Sequence, residues 1–193
     1  IKLSATKYYY NGKTRTPSVI IKDTDGNDLI KGDDFDVIYD TGRKNPGKYN
    51  VQITLKGNYE GEINLTFSIN PVKTAKVSYE NKGDHILITW DKVVGATGYT
   101  VYIYKDSENG TTRKALKTLT GTSYKLTKDY NGKALKLDES YRIGVVSRTR
   151  TEDDTILKSK EATIKTVTRK LQKPTLTVTT ASGKANLKWT NVA

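Results

Sequence analysis

The chain has 193 residues, with 33 Lys plus Arg against 21 Asp plus Glu for a net charge of +12, and it contains no Cys, no Met and one His. No disulfide framework, cysteine zinc site or thiol nucleophile can be built from such a chain, and a lone His supplies no multi-histidine metal site. The length suits one or two domains, no signal-peptide pattern opens the chain, and no apolar run approaches the roughly 20 residues of a membrane-spanning helix.

The local pattern is β almost throughout. Val19 to Lys22, Phe35 to Tyr39, Tyr49 to Ile53 and Leu65 to Ile69 are short runs rich in β-branched and aromatic residues, which fit a pleated, half-buried surface. Between them stand turn signals: Asn11-Gly12, Asp25-Gly26, Lys31-Gly32-Asp33, Asn45-Pro46-Gly47 and Lys56-Gly57-Asn58. Short strands at this spacing, with no helical period, predict a sandwich.

A second pattern begins after Pro71. Ile86, Ile88 and Trp90 alternate toward one face, then Tyr99, Val101 and Ile103, then Tyr141, Ile143 and Val145, with a last strand expected over residues 157–167. A third pattern starts at Pro174: the run Thr175 to Thr180 and then Gly183 to Trp189 repeat the opening of the second, and Trp189 follows Trp90 by 99 positions. That distance is a plausible module length for a tandem array. Two strands are marginal alone, so the C-terminus reads as a boundary inside a longer array.

These residues carry resemblances. Residues 72–167 resemble a fibronectin type III domain through Trp90, the Gly98-Tyr99-Thr100-Val101-Tyr102 run, and Leu135 six residues before Tyr141. The Leu-to-Tyr spacing is similar to that family's tyrosine corner, where a Tyr hydroxyl bonds back to upstream backbone. The stretch 174–193 resembles the start of another copy. Residues 8–71 resemble a bacterial immunoglobulin-like repeat of Gram-positive surface proteins, through Tyr10-Asn11-Gly12, Pro17-Ser18-Val19, Asp23 to Gly26, Gly32 to Phe35, Gly57 to Gly61 and Phe67-Ser68-Ile69. Phe35 stands where that pattern more often has Tyr.

The resemblances imply an all-β chain of tandem sandwiches: an immunoglobulin-like domain at 1–71, a fibronectin type III domain at 72–168, and a linker with the first two strands of a second fibronectin-like domain at 169–193. They also imply a non-catalytic spacer or adhesion segment of a secreted or wall-attached bacterial protein, which positions other domains of the same longer protein away from the wall. The alternatives are an accessory region of a secreted carbohydrate-active enzyme and a binding module for acidic glycan or wall polymer.

Candidate chemistry within the chain is sparse. Asp23-Thr24-Asp25-Gly26-Asn27-Asp28 invites a calcium reading, but an EF-hand loop needs Gly at position 6 and Glu at 12, and here Gly26 and Asp34 fall at 4 and 12. A hairpin turn accounts for the same letters. Strand parity puts Asp34 and Asp36 on one solvated face rather than in a catalytic carboxylate pair. His85 reads as an exposed structural residue at a turn edge, and the Lys-Gly-Asp triplets at 31–33 and 82–84 read as turn chemistry. No nucleophile or acid/base pair with a supporting partner can be named, so no enzyme, no cofactor and no metal site is expected.

One constellation stands out. If Tyr99, Val101 and Ile103 face inward, Tyr102 and Tyr104 face outward; if Tyr141, Ile143 and Val145 face inward, Arg142 and Arg148 face outward. The fibronectin resemblance implies that these two strands share a sheet. Tyr102, Tyr104, Arg142 and Arg148 are therefore the candidate ligand-binding residues, weighed against a self-satisfied outer face. Charge points the same way. Residues 1–71 carry 10 basic and 9 acidic side chains, residues 72–167 carry 18 and 12, and residues 168–193 carry 5 and none. A basic strip suits anionic glycan, wall polymer or a host surface protein; no recognition helix or phosphate loop suggests nucleic acid, and no membrane insertion is expected. Residues 168–173 read as a basic linker.

Overall fold

The computed structural model describes residues 1–108, 110–172 and 174–189. Among them every regular element is a β-strand, as the alternating runs predict. Lys173 and residues 190–193, within the 169–193 segment, lie outside the described residues. The chain packs as two compact units: Ile1–Thr74 with Lys92–Tyr99 and Val146–Ala162, and Ala75–Asp91 with Thr100–Val145 and Thr163–Ala193.

In the first unit, β1 (Lys2–Leu3) pairs with β3 (Val19–Ile20). A four-stranded sheet runs in the order β2 (Lys7–Tyr9), β6 (Glu62–Asn70), β5 (Gly47–Leu55), β4 (Phe35–Tyr39). β5 and β6 are antiparallel neighbours, with Val51 opposite Leu65 and Ile53 opposite Ile63, whereas β2 lies parallel to β6. The turn between β5 and β6 uses Gly57 at φ +69, a left-handed conformation that a side chain would strain. Alternation sends Phe35, Val51, Ile53, Phe67 and Ile69 into one core with Leu3 and Ile21, all nearly inaccessible to water. Each such side chain contributes roughly 1.5–3 kcal/mol of burial. Tyr8 closes the cluster edge-on to Phe67, with ring centroids 5.8 Å apart.

In the second unit, a three-stranded sheet has the order β11 (Ser123–Leu126), β8 (Ile86–Trp90), β7 (Val77–Asn81). A second sheet is ordered β10 (Gly110–Leu119), β9 (Gly98–Ser107), β12 (Ser140–Arg150), and β12 also pairs with β14 (Thr163–Thr168). Strands β9 and β12 run on into the first unit, where β12 pairs with β13 (Ile156–Lys158). Ile86, Ile88, Val101, Ile103, Leu126, Ile143, Val145 and Val167 are fully buried. The Lys136 N–H donates to the Tyr141 hydroxyl oxygen at 2.8 Å, and that hydroxyl donates to Glu139 Oε2 at 3.2 Å. This is the back-bond that the Leu135–Tyr141 spacing predicts.

Three expectations are corrected. The strand expected over 157–167 is two strands: β13 pairs with Arg148–Arg150, the chain turns where Ser159 Oγ donates to the Glu161 carbonyl, and β14 pairs with Ser140–Val145. His85 is not exposed, since only 12% of its side chain meets solvent and its Nδ1 lies 2.5 Å from Asp84 Oδ1. Residues 168–172 are not a free linker. Arg169 is buried, its guanidinium donating to the carbonyls of Lys82, Gly83 and Lys170. The Asn81 side chain donates to the Thr168 carbonyl and accepts from Lys170 N–H, and Gln172 donates to the Asn81 carbonyl. Beyond it, β15 (Leu176–Ala181) and β16 (Lys184–Trp189) form a two-stranded antiparallel hairpin.

Candidate functional site

The outward residues of β9 and β12 build the aromatic–cationic face. Tyr99, Val101 and Ile103 are inside, so Tyr102 and Tyr104 alternate outward and come to rest half-buried. Their cover is cationic. The Arg113 guanidinium carbon lies 4.7 Å from the Tyr102 ring centroid, and that of Arg142 lies 5.7 Å from the Tyr104 centroid. Lys105 Nζ, from the next position of β9, lies 6.0 Å from the Tyr130 ring centroid. Such contacts are worth about 0.5–1 kcal/mol each when exposed. Beneath Tyr104 there is no side chain at all: a Cβ on Gly144 would stand 2.6 Å from Tyr104 Cε2. The ring lies across the glycine backbone and seals it, a device by which an aromatic side chain repairs a bare position on a sheet.

Asp106 completes the face. Arg142 Nη1 pairs with its carboxylate, and Thr111 Oγ1 donates to Asp106 Oδ1 at 2.6 Å. The hydroxyl of Thr111, and then the Arg142 cation, hold the Asp106 carboxyl below the usual range. Arg142 is therefore committed to an internal partner, whereas Arg113, Lys114 and Lys117 on β10 are exposed. Of the four residues singled out from sequence, Tyr104 and Arg142 are brought together and Tyr102 is stacked by a different cation. Arg148 lies in the first unit, in register with Lys158, its carbonyl accepting Thr97 N–H at 2.8 Å. The sequence reading missed Arg113, Asp106 and Gly144. The Asn109-Gly110 dipeptide was the available signal, because Asn-Gly is a frequent hairpin-turn pair in sequence, and β10 lies beside β9.

The remaining candidates resolve into structural chemistry. Asp23 accepts the backbone N–H groups of Asp25 and Asn27 and the Asn27 side-chain amide, so its carboxylate closes the turn expected from the sequence. Those bonds, led by the Asn27 side chain, lower its pKa. Asp34 Oδ2 accepts Ile30 N–H at 2.7 Å, and Asp36 pairs with Lys56 at 3.1 Å, which gives the two carboxylates separate duties. In the first unit an open groove of about 560 Å³ has Asp40, Pro46, Lys48 and Thr149 to Asp153 among its lining residues. Lys48 and Asp153 pair there at 2.6 Å, and Thr151 and Thr155 also bond the Asp153 carboxylate, holding its pKa well below normal. Among the described residues, no three acidic or imidazole side chains gather to hold a metal. No helix among them is long and apolar enough to cross a membrane.

No family model matches the chain, and no curated protein matches it.

Proposed function

We propose that this chain is a non-catalytic spacer or adhesion segment of a bacterial cell-surface or secreted protein, built from an immunoglobulin-like module at 1–71, a fibronectin type III module at 72–168 and the opening strands of another. The observation that carries the reading is a repeated hairpin. Val77 pairs with Trp90 and Tyr79 with Ile88; 99 residues on, Leu176 pairs with Trp189 and Val178 with Leu187, in the same register. A unit that recurs at a fixed interval is the mark of an array, whose work is to extend and position. The sheet orders β11-β8-β7 and β10-β9-β12-β14 and the Tyr141 back-bond support the fibronectin part of the reading.

A second reading has its own observation: Arg113 stacked on Tyr102 at an exposed strand is an aromatic–cationic surface that suits an anionic wall polymer or glycan. One experiment separates the two. The 193-residue chain is incubated with isolated Gram-positive walls at low and at high salt. A spacer is recovered unbound at both. Retention at low salt that is lost at high salt, and lost again in a Tyr102→Ala/Arg113→Ala variant that still folds, overturns the spacer reading in favour of the binding module.

A further inference from the structure

The hairpin β15–β16 carries an uncovered apolar face. Cross-strand partners share a face, so Leu176 with Trp189, Val178 with Leu187 and Thr180 with Ala185 form one stripe. Leu176 is 57% exposed, Val178 54%, Leu187 57% and Trp189 65%. The same positions in β7–β8 show what such a hairpin is built to meet. There Val77, Ile86, Ile88 and Trp90 are buried while Tyr79, the counterpart of Val178, stays 38% exposed, and the edge of β8 is taken by β11, an alternating strand with Tyr124 opposite Ile88 and Leu126 opposite Ile86. β16 has no such neighbour among the described residues, and its edge is open.

Charge selects the occupant. Residues 168–193 hold five cations and no anion. Lys188 occupies the position equivalent to Thr89, which in the covered hairpin faces Ser123. A second copy would bring the same basic segment against itself. We infer that β16 accepts an added antiparallel strand of polar–apolar alternation: an aromatic residue opposite Leu187, an aliphatic one opposite Ala185, and a carboxylate opposite Lys188. The mode is strand addition, in which backbone bonds supply affinity and alternate side chains supply specificity. It is independent of whether the chain acts as a spacer.

The test keeps the whole chain and adds, through a Gly-Ser linker after Ala193, one of three strands: Glu-Tyr-Glu-Leu-Thr, the same strand with Lys for each Glu, or the same strand with Asp for Tyr and Leu. Addition is read from Trp emission and from amide exchange at Ala185–Lys188. The acidic strand should shift the emission to the blue and slow exchange by about tenfold or more. The lysine strand should do so less, and the aspartate strand not at all. Leu187→Asp in the chain should abolish the effect; this residue lies outside the buried cores, so the variant tests the face without unfolding the rest. Unchanged emission and exchange with the acidic strand overturn the proposal. So does protection of the same amides in the unextended chain, whether it grows with protein concentration, which makes a second copy the occupant, or is independent of it, which makes the chain its own cover.

Discussion

Gly144 and Tyr104 show how much of the outer face rests on one missing side chain. The ring occupies the space a Cβ would need, at 2.6 Å from Cε2 and 2.9 Å from the hydroxyl oxygen. In that position it also carries the Arg142 stack. Gly144→Ala therefore forces the ring to swing off the sheet, trading a sealed backbone for an exposed ring. Overpacking of this kind typically costs 1–3 kcal/mol; because the obstructing group is the far end of a movable ring, the expected loss is about 1 kcal/mol. The comparison that identifies the cause is a double-mutant cycle. In a Tyr104→Ala background the three closest contacts of that methyl are gone, so Gly144→Ala should then cost less than half as much by urea unfolding. Additive losses would mean that the ring and the glycine are energetically separate.

At the scale of elements, the joint after β14 is the least expected feature and the most testable. Arg169 sits 7% exposed, with its guanidinium shared among three backbone carbonyls, two of them in the β7–β8 turn. Charge-assisted bonds are the strong kind, and loss of these leaves part-buried acceptors unpaired. Arg169→Ala should cost about 2–3 kcal/mol and speed amide exchange at Lys170. Arg169→Lys should recover little, since a single ammonium cannot span the fork.

The same joint shows where sequence reading stops. Val51 and Ile53, Ile86 and Ile88, and Tyr99, Val101 and Ile103 announce their strands because alternation is a local property and burial follows it. Arg169 reads as linker because its partners Lys82 and Gly83 lie 87 and 86 residues away, and nothing near it in the chain reveals two carbonyls in want of a donor. β10 was invisible for a related reason. Thr111 to Lys114 lacks alternation and is exposed throughout, and the strand forms by pairing with β9 rather than by its own preference. Without β10, parity could place Tyr102, Tyr104 and Arg142 on an outer face but could not supply Arg113 as the cation on Tyr102.

For the whole molecule, the cation excess and the placement of carboxylates set how stability depends on pH. Asp23, Asp84, Asp106 and Asp153 all have pKa values below normal, chiefly through hydrogen bonds from Asn27, His85, Thr111 and Lys48 respectively. A group that binds its proton more weakly when folded stabilises the fold above its unfolded pKa, and that contribution is lost as pH falls toward the folded value. Tyr39, Tyr49, Tyr124 and Tyr141 are shifted upward, each mainly by burial, so their contribution is present below the unfolded value and is lost as pH rises past it. With unfolded values near 4 for Asp and near 10 for Tyr, the urea midpoint should be flat between roughly pH 5 and 9 and fall on both sides. The acid limb should be the steeper, because protonating carboxylates on a chain already at +12 adds self-repulsion to the lost bonds. Asp153→Asn should flatten that limb, since it removes the carboxylate paired with Lys48 at 2.6 Å, while leaving the alkaline limb unchanged. An acid limb indifferent to Asp153→Asn would assign the acid sensitivity to net charge alone; added salt should relieve a repulsive origin and leave the tyrosines' limb in place.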